Sequence, residues 1–288
     1  MFEQLSTTIK GVNLSAKFYA ALGDKKPFTL FCLPGGGSSA EFFDLHPDYS
    51  FVKRMNSVGY NVITMDHPGT ASNQLPLNQP FLKPRISAEY ISLALNEWNI
   101  GKLIGVGHSM GGMTVTLIQA RYKTFEAIAL LGSNAGGLDW GLNDHEKTYI
   151  NKPERFSKDI KKLVYAKFGC EFTKIPSGPS GNSITFGGQT ETLTARLREI
   201  SCELYAAGGL MSMIKGSFSN EVKAIDTSIF FACGDHDIGI PSEEIEKYYT
   251  NASNTKLIIL KDTGHNHFAF DSIGFLCESF DYWASSLA

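Results

Sequence analysis

The chain has 288 residues and a net charge of −3, with 43% hydrophobic and 19% charged residues. This balance supplies a sizeable core and excludes intrinsic disorder, and the small charge gives no reason to expect nucleic acid or an anionic membrane as a partner. The sequence has no apolar run of the ~18 residues that span a bilayer. Its first residues lack a basic segment followed by an apolar one, so we expect no secretory signal.

The five cysteines are an odd number, and no two of them have the spacing of a metal site. Cys32 and Cys233 fall in apolar runs, so we expect them to be packed thiols. These features predict a cytoplasmic protein in a reducing compartment, without a bound metal.

The first 20 residues predict a polar β-hairpin with Lys10 and Gly11 near its turn. Six short apolar runs then suit buried parallel strands, at residues 28–33, 60–65, 102–106, 127–131, 229–233 and 257–260. Amphipathic segments between and after them predict helices at 87–98, 110–122, 242–249 and 272–287. Strands that alternate with helices predict an α/β fold, in which a mostly parallel sheet carries helices on both faces.

One stretch, from about residue 134 to 227, breaks this alternation, because it has helical patterns but no convincing buried strand. Its best predicted helix is 191–207, with an apolar stripe formed by Leu193, Leu197, Ile200 and Leu204. Residues 177–183 have the composition of a loop. The stretch is too long for an ordinary connection. We therefore predict a core made of residues 1–133 and 228–288, and a mostly helical cap at 134–227.

Residues 107–111, Gly-His-Ser-Met-Gly, lie between a predicted strand and a predicted helix. The pattern Gly-x-Ser-x-Gly is common by chance, but on a strand-to-helix turn it predicts a nucleophilic serine in strained backbone geometry. Ser109 would then be exposed at the carboxyl end of the sheet, where ligands bind in doubly wound folds. The alternative is a glycine-rich turn that serves only close packing.

A nucleophilic serine needs a base to take its proton and a carboxylate to orient that base. His265 follows the last predicted strand, and its place in the loop favours it over His267. Asp235 and Asp237 both follow the strand at 229–233, and the one nearer the strand could instead be a turn residue.

Two backbone amides are expected to stabilise the oxyanion of an acyl-transfer reaction. One is the amide of Met110, directly after the serine. The other should come from residues 34–37, Pro-Gly-Gly-Gly, because glycines let the backbone approach a ligand closely. A phosphate site is disfavoured, since the loop lacks the Gly-Lys-Ser/Thr ending of a P-loop.

With these motifs the chain resembles the α/β-hydrolase superfamily, in its capped esterase, lipase and carbon–carbon hydrolase branch. The resemblance covers nearly everything outside 134–227, and residues 107–112 are similar to the family's G-H-S-M-G-G segment. The segment 234–241 is similar to the family's G-x-x-D-x-x-x-P, which implies Asp237 as the acid. Gly264-His265 is similar to the G-H that carries the base, and residues 34–36 align with the oxyanion segment, which implies Gly36 as a donor.

Two segments depart from the family pattern. Pro34 stands where the family usually has histidine, so the support of the oxyanion hole is expected to differ. Residues 66–72, Asp-His-Pro-Gly-Thr-Ala-Ser, differ from the family's D-x-R-G-x-G-x-S, which puts the structure of that loop in question. Epoxide hydrolases and haloalkane dehalogenases of this fold have an aspartate at the position of Ser109, so the serine argues against both.

The resulting expectation is a hydrolase that cleaves an ester or thioester of a small molecule through an acyl-enzyme, without cofactor or metal. Residues 210–214, Phe172 and Phe186 could line a pocket for an apolar or aromatic group, or could simply pack the cap onto the sheet. The alternatives are an acyltransferase or carbon–carbon bond hydrolase with the same triad, and a ligand-binding receptor on this fold.

Overall fold

The structure, a computed structural model, describes residues 2–138, 141–174, 184–239 and 242–287. The loop expected at 177–183 lies outside these stretches, and so does Pro241 of the family-like segment.

The strands in the described residues are β1 (Glu3–Ile9), β2 (Val12–Tyr19), β3 (Thr29–Leu33), β4 (Asp44–His46), β5 (Tyr49–Ser50), β6 (Asn61–Met65), β7 (Leu103–His108), β8 (Ala127–Leu131), β9 (Phe172–Lys174), β10 (Glu203–Tyr205), β11 (Ser228–Gly234) and β12 (Asn254–Leu260). The α-helices are α1 (Phe51–Ser57), α2 (Pro84–Trp98), α3 (Met110–Tyr122), α4 (Asp144–Lys147), α5 (Pro153–Phe168), α6 (Glu191–Glu199), α7 (Ala206–Met213), α8 (Ser219–Lys223) and α9 (Ile273–Ser285). Short 3-10 helices cover Ala40–Phe43, Ser242–Tyr248 and His267–Ala269.

Eight strands form one sheet in the order β1-β2-β6-β3-β7-β8-β11-β12. The hairpin β1–β2 joins β6 in antiparallel pairing, and every pair from β6 to β12 is parallel. All six predicted runs form strands of this sheet, so the predicted α/β fold is confirmed. The hairpin turns at Lys10 and Gly11, with φ of 48° and 82°, as the sequence predicts.

Four central strands, β3, β7, β8 and β11, are buried along their whole length, because helices cover both faces of the sheet. One face packs against α2 and α3, which contribute Leu95 and Val115 to its core. The other face packs against α1 and α9, with Phe51, Phe280 and Trp283 in its core. Burying a side chain of this size stabilises the fold by ~1.5–3 kcal/mol. None of the described helices is long and apolar enough to cross a membrane.

Residues 134–227, called the insert below, connect β8 to β11 and contain α4 to α8 and a small antiparallel strand pair, β9–β10. The prediction of one helix over 191–207 is wrong. Helix α6 ends at Glu199, because the chain then pairs with the loop after β3: Ser39 N donates to Ile200 O at 3.1 Å and Cys202 N donates to Gly37 O at 2.9 Å. These tertiary hydrogen bonds outweigh the helical pattern of the segment.

The insert docks on the core through its β9–β10 strand pair. Tyr205 Oη donates a hydrogen bond to Leu82 O at 2.8 Å, and the Tyr205 ring stacks on Phe172 with centroids 5.7 Å apart. Phe172 fills the space over Gly69, where a Cβ atom would lie 2.1 Å from its Cζ. Both aromatic rings therefore pack the β9–β10 strand pair onto the loop after β6.

Three side chains of the predicted pocket lining, Leu210, Met211 and Ile214, are fully buried in the hydrophobic core between the insert and α3. For these residues the structure agrees with the packing alternative.

Candidate active site

Ser109 lies between the end of β7 and the start of α3, with φ of 52° and ψ of −120°. An L-residue adopts such angles only at an energetic cost, and the sharp turn that results is the geometry predicted for a nucleophilic serine. The turn requires small neighbours: a Cβ atom on Gly107 would lie 2.5 Å from the backbone of Gly111. Ser109 N donates to Leu131 O at 2.8 Å, which fixes the turn against β8.

His265 and Asp237 meet at the same edge of the sheet, since they follow β12 and β11. His265 Nδ1 donates to Asp237 Oδ1 at 2.5 Å, and both side chains are at least nine-tenths buried. Burial opposes the ionised form of Asp237, but the charges and hydrogen bonds of His265 and His267 outweigh it and hold the pKa of Asp237 well below its usual range. Asp237 is therefore an ionised acceptor at neutral pH.

Gly132 links this pair to the serine. It follows Leu131, the hydrogen-bond partner of Ser109, and a Cβ atom on it would lie 3.0 Å from Asp237 Oδ2 and 3.2 Å from His265 Nδ1. Among the described residues, no hydrogen bond joins Ser109 Oγ to His265. Catalytic contacts of this kind often tighten only when substrate binds, so the open contact is compatible with a serine–histidine pair.

Asp235, the competing carboxylate, points elsewhere. Its Oδ2 accepts a hydrogen bond from Asp262 N and its Oδ1 accepts one from Thr263 N, both at 2.9 Å. Burial tends to raise the pKa of Asp235, but these backbone donors outweigh it and lower the pKa. Asp235 thus holds the loop after β12 in shape, and of the two aspartates only Asp237 contacts His265.

The amides expected to form the oxyanion hole, those of Gly36 and Met110, belong to adjacent segments. A Cβ atom on Gly36 would lie 3.5 Å from Met110 Sδ and 2.5 Å from Leu204 Cδ1 of the insert. In the described part of the chain neither amide donates to a protein acceptor. Met110 is the first residue of α3, where amides lack partners within the helix. Both donors are thus available to a ligand atom.

The two segments that depart from the family pattern, at Pro34 and at residues 66–72, contact each other in the structure. His67 Nε2 donates to Pro34 O at 2.9 Å, so a histidine of the loop after β6 holds the segment that begins with Pro34. Burial lowers the pKa of His67, which keeps its ring neutral. Asp66 Oδ1 accepts a hydrogen bond from Ala40 N at 2.6 Å and its Oδ2 accepts one from Ser72 Oγ at 2.6 Å. The loop is therefore ordered by its own side chains despite the altered motif.

Two more histidines lie beside His265. His108 Nε2 donates to His265 O at 2.7 Å, and burial, with the neighbouring histidines, holds the pKa of His108 well below its usual value. His267 Nε2 donates to Asp237 Oδ2 at 2.8 Å, and its side chain is completely buried. The favoured base and its competitor therefore contact the same carboxylate through different oxygens.

The insert reaches the histidine loop through residues 184–189. His265 N donates to Thr185 O at 2.7 Å, and Asn266 Nδ2 donates to Phe186 O at 2.7 Å and to Gly187 O at 3.2 Å. The Phe186 ring stands edge-on to the His265 ring, with centroids 6.3 Å apart. The insert thus contacts both the loop after β3 and the loop after β12, on either side of Ser109.

One group of side chains in the described residues has the composition of a metal site. Asp235, His236 and Asp262 are close to the surface, with potential ligand atoms within 4.8 Å of one another. Both oxygens of Asp235 already accept hydrogen bonds from the backbone of the 262–263 loop. The cluster is explained by that loop and has no contact with the serine.

The sequence predicts one edge of the sheet for five site residues, and the structure brings them to that edge: Ser109, His265, Asp237, Gly36 and Met110. The contacts of His67 and His267 are not predicted from the sequence. The altered motif around His67 indicates that this loop differs from the family pattern. It does not identify the hydrogen-bond partner of His67, because Pro34 is 33 residues away in the sequence.

The sequence model of the alpha/beta hydrolase family matches residues 30–272. The fold is similar to that of a thermophilic esterase from Thermogutta terrifontis, at 12% identity and a TM-score of 0.63, over 100% of this chain and 99% of that one. For the epoxide hydrolase CorEH the identity is 14%, the TM-score 0.64 and the coverage 100% of both chains. For a variant of the N-acyl homoserine lactonase AidH the identity is 13% and the TM-score 0.66, over 100% of this chain and 98% of that one. No curated protein matches. At these identities the structural likeness shows the fold alone.

Proposed function

The chain belongs to the alpha/beta hydrolase family, and on that premise we propose that it is a serine hydrolase that cleaves an ester or thioester through an acyl-enzyme. The observation that carries the proposal is the buried His265–Asp237 pair beside a serine in strained backbone geometry. A serine in such a turn, a histidine and an ionised carboxylate are the three groups that nucleophilic acyl transfer requires. Two of the similar structures are named an esterase and a lactonase, in line with this reading.

In the proposed reaction, Ser109 Oγ attacks the acyl carbon while His265 Nε2 takes its proton. Asp237 holds the other ring nitrogen, so the imidazolium that forms is oriented and stabilised. The amides of Gly36 and Met110 stabilise the oxyanion of the tetrahedral intermediate. His265 then protonates the departing alcohol or thiol. A water molecule, deprotonated by His265, attacks the acyl-enzyme, and His265 returns the proton to Ser109 Oγ as the acid leaves.

We assign the insert the role of a cap that selects the substrate. Its side chains nearest the proposed oxyanion hole are apolar or small: Leu204 lies over Gly36, and Gly208 lies beside Met110. Phe186 presents its ring to His265. These neighbours favour an apolar acyl or alcohol group next to the scissile bond.

The test combines labelling and turnover. We expect a fluorophosphonate to modify Ser109, and p-nitrophenyl esters of graded acyl length to be hydrolysed. Ser109→Ala should lose the label and at least ~10⁴-fold in kcat/KM, because residual catalysis without the nucleophile rests only on the oxyanion hole and on binding. Ser57→Ala, at an exposed serine on α1, is the control and should match the wild type.

An adduct on another residue would overturn the assignment of Ser109. A wild-type protein that binds esters without turnover, and that binds them equally well after Ser109→Ala, would instead be a receptor. Transfer of the acyl group to an added alcohol in preference to water would identify an acyltransferase.

A further inference from the structure

Two histidines share one buried carboxylate. Asp237 Oδ1 accepts hydrogen bonds from His265 Nδ1 at 2.5 Å and from Ile238 N at 2.7 Å, whereas its Oδ2 accepts one from His267 Nε2 at 2.8 Å. Since an ionised carboxylate only accepts hydrogen bonds, each histidine must carry a hydrogen on the nitrogen that faces Asp237 and donate a hydrogen bond from it.

His267 is not placed to be the base itself. Its side chain is completely buried, whereas that of His265 is 10% exposed. Its second nitrogen, Nδ1, is also buried and has no hydrogen-bond partner among the described residues. A buried polar atom without a hydrogen-bond partner destabilises the fold. A histidine at position 267 therefore lowers the stability of the fold. Phenylalanine, which has no polar ring atom, would pack there without this loss.

We propose that His267 is a positioning residue that acts through Asp237: its Nε2–H fixes the second carboxylate oxygen and limits how strongly Asp237 stabilises the doubly protonated ring of His265. This inference rests on the proposed function, in which His265 keeps its Nδ1 proton but must be without a proton on Nε2 to act as the base. His267 itself touches neither the serine nor the substrate in the proposed reaction.

The direction of the effect follows from charge. A hydrogen bond to a carboxylate stabilises its negative charge, so removal of the donor leaves a more basic carboxylate and a stronger attraction for imidazolium. His265 would then hold its proton to higher pH, and the acid limb of kcat/KM would move to higher pH. A residue that serves only packing would lower the stability of the protein without moving this limb.

The other titratable group close to these two rings, among the described residues, is His108, contributed by β7. Its ring centroid lies 4.8 Å from that of His265 and 5.6 Å from that of His267. Burial keeps the pKa of His108 well below its usual value, and the two histidines keep the pKa of Asp237 well below its own. Neither group changes charge near neutral pH, and NMR titration of the His265 ring assigns the shift to that ring directly.

The decisive comparison is His267→Gln against His267→Met. Glutamine can place an amide N–H near the position of Nε2, and methionine has a similar length without a donor. We expect His267→Met to raise the midpoint of the acid limb by about half a pH unit or more, and His267→Gln to stay close to the wild type. The same midpoints are to be read by NMR titration of the His265 ring in histidine-labelled protein, which needs no turnover.

Equal profiles for both variants, whether shifted or not, would overturn the inference, because the donor would then have no specific effect. If His267→Met does not fold, His267→Asn replaces it, since its shorter side chain falls short of Oδ2, and the same shift is expected. The NMR titration also separates the two proposals. Absence of ester turnover and of a Ser109 adduct would refute the proposed function, while the titration would still decide the role of His267.

Discussion

The two sides of the candidate site are built differently. On the core side each residue follows its own strand of the parallel sheet, and the contacts join side chains, as between His265 and Asp237. On the insert side the hydrogen bonds to the core at 200–202 and 185–187 involve backbone atoms of the insert, as in the bond from Cys202 N to Gly37 O. At these contacts the core depends on particular side chains and the insert on the path of its backbone, whereas Tyr205 and Phe172 dock the insert on the loop after β6 through their side chains. We propose that the first side carries out the reaction and that the second selects the substrate.

The largest effect should come from the core side, where two aspartates stand two residues apart. We expect Asp237→Asn to lower kcat/KM by ~10³–10⁴-fold, because the histidine loses the carboxylate that fixes its tautomer. Asp235→Asn should stay within about tenfold of the wild type, since it changes only a loop contact. Steady-state kinetics with one p-nitrophenyl ester measure both. The reverse order would assign the carboxylate role to Asp235.

Docking of the insert can be tested at Gly69, whose missing Cβ makes room for Phe172. Gly69→Ala should lower the free energy of unfolding by ~1–3 kcal/mol more than Gly101→Ala does, through overpacking. The two glycines have nearly equal φ, 90° and 89°, but a Cβ atom on Gly101 would meet open space. Urea unfolding measures the difference. Equal losses would mean that the Phe172 contact does not hold the insert.

The buried histidines of the core side predict a dependence of stability on pH. His108 has a folded-state pKa well below 6.5, so below pH 6.5 the unfolded chain binds a proton that the folded protein does not. The free energy of unfolding should therefore fall as the pH is lowered from 6.5, by ~1.4 kcal/mol per pH unit for this residue. His108→Gln, which retains a donor for His265 O, should show a shallower slope in urea unfolding at pH 7, 6 and 5. An unchanged slope would mean that His108 is charged in the folded protein.

The smallest effect is expected where the insert meets the histidine loop. Asn266→Ala removes two hydrogen bonds to residues 186 and 187, so we expect KM to rise ~3–10-fold while kcat stays within about twofold. Asn220→Ala, at an exposed asparagine hydrogen-bonded to Glu154, is the control. Esters of graded acyl length would show whether the change depends on the substrate. A loss in kcat alone would indicate that Asn266 supports His265 rather than the insert.

Local patterns identified most of the core from the sequence. Buried parallel strands are continuous apolar runs, and a strand, a glycine-flanked serine and a helix follow one another within about 20 residues, so both features are visible in short windows. The carboxyl ends of parallel strands lie at one edge of the sheet. The sequence alone therefore predicts that residues as distant as Ser109 and His265 lie at the same edge.

Tertiary structure decided the rest. Asp235 and Asp237 follow the same strand, β11, and the loop after β12 supplies different partners to each. Asp235 accepts hydrogen bonds from backbone amides of that loop, whereas Asp237 accepts hydrogen bonds from two of its histidine side chains. The helical pattern over 191–207 was overruled by hydrogen bonds to the loop after β3, and His67 found its acceptor in Pro34. Such contacts join segments with no regular spacing along the chain. Their energy depends on which groups are buried together, and that is fixed only when the whole chain has packed.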